Sequence, residues 1–112
     1  MAIADTQTLS ELLHLLSHPR RRFVVHYLQR SGGPVVVDSL ATRLAAWEVA
    51  DSVPEPDGCD VESVAVSLHH THLPKLDEYG VLRYDADSGR VQSGARTVTG
   101  SVLDEELLSE RR

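Results

Sequence analysis

The stretch DVESVAVSLHHTHLPKLDEYGVLRY, Asp60 to Tyr84, decides the fold. At about 100° per residue it reads as one long helix, with Val61, Val64, Ala65, Leu68, His72, Leu76 and Tyr79 on one broad face. That face is the one to bury. Ser63, Ser67, His70 and Pro74 fall opposite, on the side open to solvent or a partner. Gly80 is the residue type that ends a helix in the left-handed region without a Cβ penalty. Val81, Leu82 and Tyr84 then favour extended chain. Asp85 to Gly89 is turn chemistry, and Arg90 to Gln92 return as a second strand.

Upstream, Thr8 and Glu11 have the spacing of a capping box, and Leu9, Leu12, Leu13 and Leu16 follow at helical intervals. Pro19 suits a first helical position, where its missing N–H would have no partner anyway. The helix it opens runs to about Arg30, burying Phe23, Val24, Tyr27 and Leu28, and Ser31-Gly32-Gly33-Pro34 ends it. Val35 to Val37 is a short β-branched strand able to pair with the hairpin. Asp38 is a good N-cap for a third helix with the apolar stripe Leu40, Ala41, Leu44 and Trp47. Val49 to Cys59, with two prolines and a glycine, reads as a loop of about eleven residues, longer than the usual connection between packed helices. The expected organisation is therefore a tail over 1–7, one domain over 8–93, and an extension over 94–112 with a short helix around Val102, Leu103, Leu107 and Leu108. The expected fold class is mainly α with a small β-hairpin, a winged helix-turn-helix.

Composition narrows the function. The 112 residues suffice for one domain, and 41% apolar content with one Phe, one Trp and three Tyr implies a core of Leu and Val. No apolar run approaches the roughly 20 residues that cross a bilayer, and the N-terminus lacks the pattern of a secretion signal. A cytoplasmic location is expected, in keeping with a single cysteine. Cys59 is flanked by Asp57 and Asp60, which disfavour its thiolate, so it is not read as a redox sensor. The net charge of −6 has the wrong sign for bulk attraction to nucleic acid. No phosphate-cradling loop, nucleophile motif or acid/base pair marks an enzyme. His69, His70 and His72 do not form a recognised ligand spacing with Cys59 or a carboxylate, so neither a metal nor another cofactor is expected. Arg20-Arg21-Arg22 opposes the dipole of the helix it opens. It is read as pairing with Asp and Glu of the same domain ahead of holding phosphate.

The segments LLSHPRRRFVVHYLQRSGG, VDSLATRL and HLPKLDEYGVL together resemble the ArsR-like winged helix-turn-helix regulators. LLSHPRRRFVVHYL, LATRLAAWE and THLPKLDEYGVLRYD are more similar still to small winged-helix domains common in haloarchaea, most of which have no assigned function. The likeness covers Leu9 to Val91. It implies a transcription regulator that places the long helix over 60–79 in the major groove of double-stranded DNA, with the hairpin over 81–92 as wing. Ser63, Ser67, His70 and Thr71 are the expected groove contacts, and Arg83 and Arg90 the expected phosphate contacts. A homodimer is expected through Leu9, Leu12, Leu13, Leu16, Leu103 and Leu107, with packing inside the chain as the other use for these leucines.

Three features depart from the family pattern. The loop before the long helix is extended, Pro74 interrupts that helix and frees the carbonyl of His70, and its exposed face offers no arginine, the commonest reader of guanine. With the acidic charge, these keep open a second reading, a winged helix that binds a protein partner and no DNA.

Overall fold

The computed structural model describes residues 10–51 and 60–94. Residues 10–15 are helical and form α1. They are followed by α2 (Pro19–Ser31), β1 (Val35–Val36), α3 (Val37–Ala50), α4 (Val61–Ser67), a π-helical turn (Leu68–His72), α5 (Leu73–Glu78), β2 (Leu82–Asp85) and β3 (Arg90–Ser93). The chain is mainly helical with a small antiparallel sheet of order β1-β3-β2, an arrangement compatible with a winged helix. The register pairs Val35 with Val91 and Val36 with Arg90, and across the hairpin Leu82 with Ser93 and Asp85 with Arg90.

The helix starts and stops follow from local chemistry. Pro19 is the first residue of α2, and the His18 ring caps the helix by accepting from the Arg20 amide at 3.2 Å. At the other end of the domain, Gly80 takes φ 76°. Its amide donates to the Asp77 carbonyl at 2.9 Å and the Val81 amide to the Leu76 carbonyl at 3.1 Å. This pair of bonds is the Schellman stop, which satisfies the last carbonyls and turns the chain directly into β2. The hairpin closes through Asp85, whose carboxylate accepts from the amides of Asp87 and Ser88 at 3.0 and 3.4 Å. Hydrogen bonding from the Ser88 side chain foremost, then these two amide bonds, holds its carboxyl below the usual carboxylate range.

The core is a single cluster of Leu and Val with little aromatic content. Leu15 from α1 and Leu16 just after it, Val24, Val25 and Leu28 from α2, and Leu40, Ala41 and Leu44 from α3 meet Val64, Leu68, Leu73 and Leu76 of the long helix and Leu82 and Val91 of the sheet. Phe23, Tyr27 and Trp47 are partly buried at its edge, Phe23 lying 5.2 Å from Trp47 between ring centroids. Among the described residues no helix is long and apolar enough to cross a membrane.

Several expectations need correction. The third helix begins at Val37, so Val37 is helical and buried, and its N-cap is Val36 without a side-chain bond; Asp38 sits in the first turn. The Val37 amide instead donates to the Gly89 carbonyl at 2.8 Å, so the helix start is tied to the hairpin. The same helix extends through Val49 and Ala50, the first two residues of the region read as loop, whose residues 52–59 lie outside the described residues. Val61 is 43% exposed, because the first turn of α4 projects beyond the core.

The largest departure is inside the long helix. It is not uniform α-helix: Leu68–His72 forms a π turn in which the Leu73 amide reaches back five residues to the Leu68 carbonyl. Pro74 has no amide to donate, and its ring would crowd the carbonyl four residues earlier. A wider turn just before it accommodates both effects, in the manner of π-bulges elsewhere. The extra residue also rotates everything beyond it. Leu73 would fall off the apolar face of a regular helix, yet it is fully buried with Leu68, His72 and Leu76.

Candidate nucleic-acid interface

The exposed side of the long helix is organised by what holds its buried side. Arg20, the second residue of α2, reaches across the domain and is enclosed completely, as is Glu48 near the end of α3. The guanidinium donates through Nε to Glu48 Oε2 and through Nη2 to Oε1, at 2.5 and 3.0 Å. Nη1 donates to Ser67 Oγ at 2.7 Å. One side chain thus ties together α2, α3 and the end of α4. Bidentate geometry is what a planar guanidinium supplies and a lysine does not.

The other two arginines of the run also turn inward. Arg22 is buried, donating to the Leu16 carbonyl at 2.7 Å. Arg21 donates through Nε to His72 Nδ1 at 3.2 Å and through Nη1 to the Leu15 carbonyl at 3.3 Å. His72 is buried, with its ring edge-on to His18 at 4.4 Å. Burial first, then the positive neighbours His18, Arg21 and Arg20, push its pKa down to about 3. It is therefore a neutral acceptor at any ordinary pH. The densest positive run in the chain is internal scaffolding: Arg20 pairs with a carboxylate, and Arg21 and Arg22 donate to a ring nitrogen and to backbone carbonyls.

Two of the four expected groove contacts are already engaged. Asp60 caps α4, accepting from the Ser63 amide at 3.1 Å and the Ser63 hydroxyl at 2.7 Å. These bonds, the hydroxyl's foremost, lower the Asp60 pKa. Ser67 is half-buried, accepting from Arg20 and donating to the Val64 carbonyl at 3.1 Å. His70 and Thr71 are exposed, as expected. An open groove is lined by Ser63, Ser67, His70 and Thr71 together with Glu62 and Val66. Glu62 is its one carboxylate, and Val66 is 52% exposed. Neither was singled out in the sequence, although both stand four residues apart in line with His70.

On the hairpin, Arg83 and Arg90 are exposed, and with Asp85 and Gln92 they share one face of the two strands. The same two arginines line a second cleft with Pro34, Asp77 and Tyr84. The acidic residues there partly offset their charge. Helix and hairpin are linked by His69 Nδ1 and the Tyr84 hydroxyl, 2.6 Å apart, and by the Tyr84 amide donating to Asp77 at 3.1 Å. Burial, then Asp85, raises the Tyr84 pKa, so the phenol remains protonated.

Of the expected dimer contacts, Leu16 is buried in its own subunit's core and Leu12 packs against that core. Both take the intrachain role. Leu13 is 44% exposed. Leu9, Leu103 and Leu107 lie outside the described residues, as does Cys59.

Residues 13–92 match the model of a protein family described as a domain of unknown function, DUF7344. No curated protein and no solved structure matches the chain.

Proposed function

The chain belongs to the DUF7344 family, whose description names no activity, and from the fold and the exposed helix face we propose that it is a DNA-binding transcription regulator of the ArsR-like winged-helix kind. The observation that carries this reading is the contrast between the two sides of the long helix. One side is locked to the core by leucines and by the Arg20–Glu48–Ser67 bonds. The other presents a groove with one formal charge, small side chains and an exposed imidazole. A helix held rigidly on one side and open on the other is what entry into a major groove requires. Arg83 and Arg90 on the hairpin supply phosphate contacts. The regulator acts in the cytoplasm without catalysis or a bound cofactor, and two copies joined through the exposed side of α1 around Leu13 would read two half-sites.

The second reading, a protein-binding winged helix that leaves DNA alone, is favoured by Glu62 beside the groove and by Asp85 and Asp87 at the hairpin tip. Fluorescence anisotropy with labelled genomic fragments at low and high salt separates the two. DNA binding that weakens with salt, and weakens again in His70→Glu and Thr71→Glu, supports the regulator. Wild-type binding no tighter than that of these two variants refutes groove contact. Ser67→Glu is unsuitable as a control, because it sets a second carboxylate beside Arg20.

A further inference from the structure

With the serines Ser63 and Ser67 engaged by Asp60 and Arg20, the outward-facing chemistry of α4 and the π turn after it centres on the row Glu62, Val66 and His70. Resting on the DNA-binding reading above, we propose that this row sets base preference, with Glu62 accepting from a cytosine N4 amino group and Val66 contacting a thymine C5-methyl. The sequence of the preferred site then follows from the helix and not from the wing.

The chemistry of each position is specific. In the major groove cytosine and adenine present an exocyclic amino donor, and a carboxylate, which accepts but does not donate, matches the cytosine N4 group better than the adenine edge, where the N7 acceptor beside N6 would face it unpaired. A guanine edge offers acceptors there, so Glu62 discriminates against it by repulsion as well as by lost bonding. Val66 has no polar atom to pair with any base, and half its surface is exposed on the groove. The thymine methyl is the one apolar group on a major-groove edge that it can cover. Both residues lie within regular α-helix, before the π turn. Four residues advance about 6 Å along the axis. Base pairs are stacked at about 3.4 Å, so the two contacts fall roughly two steps apart. His70 and Thr71, one turn further on, can bond to either acceptors or donors and add less discrimination.

A randomised duplex library selected on the immobilised full-length protein tests this, followed by affinity measurements on the selected duplex. Cytosine and thymine about two steps apart should be enriched. Replacing that thymine by deoxyuridine removes only the methyl and should weaken binding about fourfold, the effect of one buried methyl. Val66→Ala should bind the thymine and deoxyuridine duplexes equally. Glu62→Gln should lose about tenfold on the selected duplex and, selected afresh, should favour adenine, to which a carboxamide bonds bidentately. Circular dichroism of both exposed-site variants verifies that they fold. Selective binding that ignores the methyl and the cytosine overturns this base assignment while leaving the DNA-binding reading intact. No retention of any duplex by the folded wild type overturns both.

Discussion

Glu48→Ala is the perturbation that probes the scaffold most severely. The wild-type carboxylate and the Arg20 guanidinium are both 0% exposed, and two parallel bonds join them. Truncating Glu48 removes both carboxylate acceptors and leaves a cation enclosed in the core beside Ser67. Taking away one member of such a pair costs about 3–5 kcal/mol. A domain of this size is stable by about 5–15 kcal/mol in total, so the variant should be partly unfolded at room temperature or melt tens of degrees lower. The double variant Arg20→Met/Glu48→Leu fills the same space without a charge and should recover most of the loss. Urea denaturation followed by circular dichroism gives both values. If Glu48→Ala falls within about 1 kcal/mol of wild type, or the double variant is as damaged as the single, the pair does not hold α2, α3 and α4 together as described.

Four further outcomes are expected. The folded-state pKa of His72, about 3, lies below its unfolded value of about 6.5. Its contribution to stability is therefore complete above pH 6.5 and is lost as pH falls towards 3, with up to about 2 kcal/mol gone by pH 5; urea midpoints should fall over that range, less so in His72→Gln. Gly94→Ala places a methyl 2.3 Å from the Gly80 carbonyl oxygen, so a loss of about 1–3 kcal/mol is expected by thermal melting. Tyr84→Phe removes the partner of His69 and should lower stability by about 1 kcal/mol in the same assay. In the dimer proposed above, Leu13→Lys should lower the sedimentation mass to that of a monomer, whereas Leu16→Ala, cut from the core, should cost about 2–5 kcal/mol.

The order of elements is legible because it rests on local signals: proline at the start of α2, glycine after the long helix, valines in β1 and turn residues between β2 and β3. Periodicity placed Val64, Leu68, His72 and Leu76 inside correctly. It failed at Leu73, because one added residue in a turn shifts the phase of everything after it, and a pattern read at constant angle carries no such shift. Pro74 was the available clue. Arg20 and Glu48 were beyond reach for another reason: they are 28 residues apart, and each alone looks like a surface charge. The arginine run is expected to pair with Asp and Glu; Arg20 does so with Glu48, whereas Arg21 and Arg22 donate to His72 and to the Leu15 and Leu16 carbonyls, a distribution that depends on tertiary packing. The same holds for Ser63 and Ser67, whose type suits a groove but whose hydroxyls the fold uses itself.

The most direct test is a chemical-shift map of isotope-labelled protein titrated with the selected duplex. The largest changes should fall at Glu62, Val66, His70 and Thr71, with smaller ones at Arg83 and Arg90. Changes confined to α2 or α3, or none at saturating duplex, would contradict this interface.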